Sequence, residues 1–224
     1  MTLIEWLEES RNDFGALAVS ITLLLGYQWY LRFKLRHDPR YTFQSVNRVA
    51  RMEWVKGILS DPARTIIGVQ TLRNSTMAST FFASTAVLLM MGTLTLTGQS
   101  AQLSSPWHQL NVLGSSHPGI WITKVLFLLS TFMVAFFSFA MAVRLFHHVG
   151  YFLGLPEDRR PEGVTPGTVG LHLNRAGHYY GIGMRAYYLA VPVVFWLFGP
   201  HLMVAATVVL IAVLYHVDRN PRMT

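Results

Sequence analysis

Three arginines and one asparagine are the side chains best suited to bind an anion in this sequence. Arg73, Arg144 and Arg185 each stand at one end of a long uncharged stretch, and Asn74 adjoins the first of them. Guanidinium groups bind phosphate and carboxylate through paired hydrogen bonds, and an amide adds a neutral donor. The pattern predicts a belt of donors at one membrane depth, suited to an anion or a lipid headgroup. The alternative is that each arginine only extends from a helix end to the headgroups.

Histidine provides a second set of candidate ligands. On the predicted inner side four histidines could hold a metal ion together with Glu157 or Asp158: His147, His148, His172 and His178. A set on the outer side comprises His108, His117 and His216 with Asp218. Neither set contains the helical His-x-x-x-His spacing that places two ligands on one helix face. Histidines that face headgroups are the alternative, so no cofactor is predicted, with a metal ion as the one exception kept open.

Other catalytic chemistry finds little support in the sequence. A b-type haem needs two histidines at equal depth, whereas His201 is predicted in the middle of the last span and His147 at the end of the third. There is no nucleophile elbow and no phosphate-binding glycine loop. No acidic residue falls within a predicted span, which argues against an ion-coupled pump. The absence of cysteine excludes disulfides and thiol catalysis.

The composition places these side chains in a membrane protein. Charged residues make up 13% of the 224 residues and hydrophobic residues 52%. Typical soluble domains carry about 25% charged residues, so too little polar surface is present to cover a water-soluble globule. We therefore expect an all-α fold: a single domain over residues 1–224, an integral membrane bundle of four transmembrane helices with cytoplasmic interfacial helices.

The spans are predicted from uncharged stretches long enough to cross a bilayer. They cover about residues 14–31, 76–97, 124–146 and 186–216. Asp61 and Pro62 are typical of a helix start, so the second span is predicted to continue a helix that begins in the preceding loop. The last stretch is predicted as a single span bent at Pro192 and Gly199–Pro200, with a re-entrant hairpin turning at Gly199 as the alternative.

Basic residues set the predicted orientation. Between residues 32 and 73 there are nine basic and three acidic residues, and the loop 147–185 is also rich in arginine. Positive charge favours the cytoplasmic side, so both loops are predicted inside and both termini outside, in the bacterial cytoplasmic (inner) membrane. Residues 42–59 are predicted as an amphipathic helix lying at the interface, and 171–185 as a broken interfacial helix.

Small residues at four-residue spacing predict close helix contact in the second span. Ser75, Ser79 and Ala83 share one helical face, and small side chains allow two membrane helices to approach closely. We expect this face to pack within the bundle or to form a homo-oligomer or larger membrane complex. The other expected partners are membrane lipids with anionic headgroups, and no nucleic acid is predicted.

Three stretches resemble successive blocks of an uncharacterised membrane-protein family, domain of unknown function 599. They are TLRNSTMASTFFASTAVLL, FSFAMAVRLFHHVGYFLG and GMRAYYLAVPVVFWLFGP. The resemblance implies a four-span architecture without an assigned activity. The blocks contain Arg73, Asn74, Arg144, His148, Arg185, Tyr188 and Trp196.

Together, these features favour an accessory or structural membrane subunit. The first alternative is a protein that binds lipid or another anion through its cytoplasmic arginines, and the second is a metal- or haem-dependent membrane enzyme.

Overall fold

A computed structural model shows the chain as a set of long α-helices. It describes residues 3–38, 41–98, 114–115 and 117–219, and for residues 3–9 the backbone alone. The long helices of these ranges are α1 (Leu3–His37), α2 (Phe43–Leu59), α3 (Thr65–Gly98), α4 (Pro118–Gly154), α5 (Pro166–Phe198) and α6 (Pro200–Asp218). No β-strand occurs in these ranges, and a single isolated bridge pairs Thr42 with Arg219. The predicted all-α membrane fold is confirmed.

Five stretches of the described chain, rather than four, are long and apolar enough to cross a membrane. They are Ser10–His37, Pro62–Gly98, Pro118–Gly154, Pro166–Phe198 and Pro200–Asp218. Several helices of this kind make the protein a multi-pass membrane protein. The first difference from the sequence-based prediction is that residues 171–185 are not a broken interfacial helix. They belong to α5, which continues without interruption into the following apolar stretch.

The second difference lies at Gly199, where the predicted bent span is two helices. Gly199 has φ 153° and ψ 152°, a conformation that side chains with a Cβ rarely adopt, and Pro200 then occupies the first turn of α6. The Gly199 amide still donates to the carbonyls of Phe195 and Trp196, so this amide stays satisfied at the break. His201 consequently lies at the start of α6, not in the middle of a span.

The chain divides into two compact units, which are described separately. Unit 1 comprises Met1–Thr42, Leu88–Phe132 and Ala186–Thr224, and unit 2 comprises Phe43–Val87 and Met133–Arg185. Helices α3, α4 and α5 therefore contribute a segment to each unit. Each unit has its own apolar core, with Val125, Phe132 and Trp196 in unit 1 and Val55, Val149 and Leu173 in unit 2.

In unit 1, α6 runs along α1 in the same direction. Trp196, just before α6, bonds to Asp13 near the start of α1. Asp218, at the end of α6, accepts a hydrogen bond of 3.0 Å from the hydroxyl of Tyr27, far along α1. The end of α6 and the end of α1 therefore lie together.

In unit 2, α3 packs through the face that the sequence singled out. Ser79 is completely buried, and Ser75 and Ala83 are half-buried. The Ser79 hydroxyl donates to the carbonyl of Ser75, so the small polar group is satisfied within its own helix. Beside it, Phe82 stacks on Phe139 at 5.3 Å between ring centroids. This face makes contacts inside the chain, and association between copies remains a prediction.

Candidate functional site

A cleft in unit 2 is a candidate binding site. Its volume is about 670 Å³, within the usual range for small-molecule sites. It is lined by Asn47, Ala50, Arg51, Trp54, Thr71, Leu72, Asn74, Ser75, Ala78, Phe146, Leu173, Gly177 and Tyr180. These residues come from α2, α3, α4 and α5, so the cleft combines a helix too short to span with segments of three helices long enough to do so.

A row of glycines on α5 allows α2 to lie close against it. Gly170, Gly177 and Gly181 recur at helical spacing, and a Cβ at any of them would approach a side chain of α2 within 3.2 Å. Met52 lies at Gly170, whereas Gln44 lies at Gly181, so the two helices are antiparallel. The missing side chains leave the space that α2 occupies.

Arg51 is held at the centre of this contact. Its Nε donates to Oδ1 of Asn174 at 2.9 Å, and Nδ2 of Asn174 donates to the backbone carbonyl of Arg48 at 3.1 Å. A Cβ on Gly177 would lie 2.6 Å from Nη1 of Arg51, so the guanidinium group rests directly against the backbone of α5. The amide and the glycine together fix the side chain in the cleft wall.

The charge of Arg51 is partly removed from water and has no acidic partner. The side chain is half-buried, and burial lowers its pKa. Within the described ranges, no carboxylate lies within ion-pair distance of it. A half-buried cation whose only hydrogen-bond acceptor is a neutral amide retains donors for an anion.

The four residues predicted to bind an anion are not brought together at this cleft. Asn74 lines it, but Arg73, Arg144 and Arg185 do not. On α3 the lining positions are 71, 72, 74, 75 and 78, which lie on one side of the helix, and Arg73 lies on the other side and is exposed. Arg144 is also exposed, whereas Arg185 is half-buried. A headgroup role for these three arginines stays a prediction.

Arg51 is not among the anion-binding residues predicted from the sequence, although it falls on the predicted amphipathic helix of residues 42–59. Its role depends on Asn174, which is 123 residues away in sequence. The available signal was the spacing of Gly170, Asn174, Gly177 and Gly181, which lie on one face of a helix if residues 171–185 are helical. The prediction of a broken helix over residues 171–185 does not place these residues on one face.

The four histidines predicted as an inner metal site are not arranged to form one. Among the described residues, no three side chains of the types that ligate metals are placed so that they could hold an ion. All four histidines are exposed: His147, His148, His172 and His178. They flank the packed faces of their helices, which carry Leu145 and Val149 on α4 and Leu173 and Ala176 on α5. His108, from the outer set, lies outside the described residues.

Unit 1 contains a buried polar cluster around Asp13. Its Oδ1 lies 2.6 Å from Nζ of Lys124 and accepts a hydrogen bond of 2.8 Å from Nε1 of Trp196. Its Oδ2 accepts a hydrogen bond of 2.8 Å from the backbone amide of Ser115. Asp13 and Lys124 are almost completely inaccessible, and the ammonium also lies 5.5 Å from the Trp196 ring. The cluster ties α1, α4, α5 and residue 115 together.

The sequence does not predict this cluster, because the first predicted span begins at residue 14 and leaves Asp13 outside it. Helix α1 in fact starts at Leu3, and the apolar stretch suited to cross the membrane begins at Ser10. Asp13 therefore falls inside that stretch. Lys124, predicted to open the third span, lies within α4, more than a turn after its start.

Comparisons with known proteins identify the family without assigning a role to either cluster. No curated protein and no solved structure matches the chain. A family model described as "Protein of unknown function, DUF599" matches residues 15–223, which include the cleft and the partners of Asp13 but not Asp13 itself. With nearly its whole length matched, the chain belongs to the DUF599 family.

Proposed function

We propose that this multi-pass membrane protein binds an anionic ligand in the unit 2 cleft, with Arg51 as the cationic contact. The observation that carries the proposal is the half-buried guanidinium group of Arg51, held by Asn174 in the wall of a cleft and without a carboxylate partner among the described residues. Arginine binds phosphate or carboxylate through two donors at once. A bound anion would offset the dehydration of the charge.

The neutral partner of Arg51 supports the same conclusion. Asparagine at position 174 fixes the guanidinium geometry but leaves its full positive charge available. A carboxylate at this position would pair with Arg51 and neutralise it, and it could not donate to the carbonyl of Arg48 as the amide does. Asn47 and Asn74 also line the cleft and add neutral amides that donate to an anion without neutralising Arg51.

The test is binding of methyl phosphate to the purified protein in a non-ionic detergent, followed by phosphorus NMR line broadening. Arg51→Gln should weaken binding on the order of 10- to 100-fold, because a hydrogen bond to a charged group is lost. Arg48→Gln is the matched control, since Arg48 is exposed on the same helix and does not line the cleft. Equal broadening by all three proteins would refute the proposal.

The accessory-subunit role expected from the sequence is compatible with a ligand site and remains a prediction. Its support would be a second protein that co-purifies in fixed stoichiometry. The metal-dependent alternative has less support, because the described residues contain no group of three metal-ligating side chains at one place.

We also propose an orientation, in the bacterial inner membrane, with the start of α1 outside and the end of α6 inside. Five crossings would place the two ends of the chain on opposite sides, whereas the expectation of two outside termini requires an even number. The end of α6 lies with the end of α1, where Lys34 and Arg36 begin the basic stretch. Positive charge favours the inner side for that end.

A further inference from the structure

We infer that the ligand of the unit 2 cleft is a phosphate-bearing membrane lipid, whose headgroup binds Arg51 and whose acyl chain lies against the apolar wall. The inference rests on the proposed anion-binding function and names the class of ligand. It is carried by the mixed lining of the cleft and by the kinds of helices that form it.

The lining separates into a polar and an apolar set. Arg51, Asn47 and Asn74 provide a cation and amides. The apolar set comprises Trp54, Leu72, Phe146, Leu173 and Tyr180. Leu72, Phe146 and Leu173 are largely buried, whereas Trp54 and Tyr180 are partly exposed. A small hydrophilic anion would pair with Arg51 and leave the accessible part of this apolar wall facing water, whereas a neutral lipid would cover it and leave the guanidinium group unpaired. A lipid with an anionic headgroup satisfies both sets.

The helices around the cleft place it at the depth where the headgroup of a lipid meets its acyl chains. Helix α2, which carries Arg51, is not among the stretches able to cross the membrane. The other walls belong to α3, α4 and α5, which are long and apolar enough to cross it. Along α3 the lining changes from Thr71 and Asn74 to Ala78, toward the uncharged part of that helix. The headgroup end is therefore at α2, and the chain end is toward the interior of the membrane.

The first experiment varies the apolar chain at a constant headgroup. Methyl, butyl and octyl phosphate are titrated against the purified protein in non-ionic detergent. Each is also titrated against Arg51→Gln, and the binding measured with that variant is subtracted, because it reports partitioning into micelles. The Arg51-dependent affinity should rise about fourfold for each methylene group that becomes buried, until the cleft is filled. Octanol, which has the same chain without the charge, should not compete with octyl phosphate.

A second variant addresses the apolar wall. Ala78→Phe adds a ring to the wall and should abolish the gain from methyl to octyl phosphate while methyl phosphate still binds. Thr80→Phe is the control, since Thr80 is exposed on the same helix and does not line the cleft. If Ala78→Phe does not fold, the chain-length series on the wild-type protein decides the question alone.

The last experiment distinguishes a lipid from free phosphate. The protein is placed in nanodiscs of phosphatidylcholine with a minor fraction of phosphatidic acid, and retained lipid is measured by native mass spectrometry. We expect phosphatidic acid to be retained by wild-type and Arg48→Gln proteins, to be lost from Arg51→Gln, and to be displaced by octyl phosphate but not by inorganic phosphate at the same concentration.

The possible failures are distinguishable. Equal binding of methyl and octyl phosphate, or displacement of phosphatidic acid by inorganic phosphate at that concentration, would overturn the lipid inference and leave the anion site in place. Octanol competing as well as octyl phosphate would also overturn the inference. Absence of any Arg51-dependent binding would overturn both the inference and the proposed function.

Discussion

The carboxylate of Asp13 and the ammonium group of Lys124 lie 2.6 Å apart, and both are almost completely buried. Dehydrating two charges is costly, and their attraction offsets that cost only when further hydrogen bonds satisfy the carboxylate. Asp13 has those bonds, from Nε1 of Trp196 and from the amide of Ser115. The pair therefore holds together α1 and α4, which are far apart in the sequence.

Replacing one partner should destabilise the protein more than replacing both. Lys124→Met leaves a buried carboxylate without a counter-charge, at a cost of about 3–5 kcal/mol. The double variant Asp13→Asn with Lys124→Met keeps an acceptor for Trp196 and removes both charges, so its melting temperature in detergent should recover most of the loss. Additive effects of the two single substitutions would show that the two charges do not interact.

The indole of Trp196 should matter through its N–H group as well as its size. Trp196→Phe removes the donor to Asp13 and should lower stability by about 1.5–3 kcal/mol, because that bond is made to a charged group. Trp29→Phe is the control, since Trp29 is 73% exposed. The melting temperatures of the two variants are measured by thermal unfolding in detergent. Equal melting temperatures would contradict the role given to the indole N–H.

Because the buried face of α3 is formed by small residues, the same substitution should affect stability very differently at two adjacent positions. Ser79 is completely buried, so Ser79→Leu should force the packed helices apart at a cost of about 1–3 kcal/mol. Thr80→Leu places the same side chain on the exposed side of the helix and should leave the melting temperature near that of the wild type. A lower melting temperature for Thr80→Leu than for Ser79→Leu would mean that the packed face has been misassigned.

Asn174→Asp should abolish anion binding without unfolding the protein. The new carboxylate would form an ion pair with Arg51 where the amide oxygen now accepts a hydrogen bond from Nε of Arg51. The paired charge would then no longer be available to a ligand. Methyl phosphate binding should fall to the level of Arg51→Gln. The melting temperature should stay near that of the wild type, because the new ion pair offsets the loss of the hydrogen bond from Asn174 to the carbonyl of Arg48. His172→Asp adds the same charge at an exposed position of α5 and should retain binding. Retained binding in Asn174→Asp would exclude Arg51 as the anion contact.

Cysteine labelling tests the proposed orientation. Single cysteines replace Arg11 and Val49, which are exposed, and Thr224. An impermeant maleimide should label the first in spheroplasts and should reach the other two only after the membrane is opened. Ser10 is unsuitable for this purpose because it is completely buried. Labelling of both Arg11→Cys and Thr224→Cys in spheroplasts would instead favour an even number of crossings.

The sequence was sufficient for features that depend on local composition. The membrane character, the helix that starts at Asp61–Pro62 and the packed face at Ser79 all follow from apolar length, capping residues and side-chain size. In the 3₁₀ turn after Asp61, the amide of Ala63 donates to the Asp61 carboxylate, as the Asp-Pro pair indicated.

The two polar clusters could not be derived in the same way. Asp13 meets Trp196 across 183 positions, and Arg51 meets Asn174 across 123. Nothing near Asp13 or Arg51 in the chain distinguishes them from solvated charges, because their burial is created by partners that folding brings from elsewhere. The break at Gly199 is intermediate: glycine and proline indicated a disruption, but whether it bends one helix or separates two depends on the packing of α6 along α1.

The junction at Gly199 also constrains how the chain is made. Helices α5 and α6 are separated by this one residue, and both Gly199 and Pro200 are buried. No hydrophilic loop is available to be exported while α6 is still being synthesised. With the orientation proposed above, we therefore expect the two helices to leave the translocation machinery together as a hairpin, so that the insertion of α5 depends on residues translated after it.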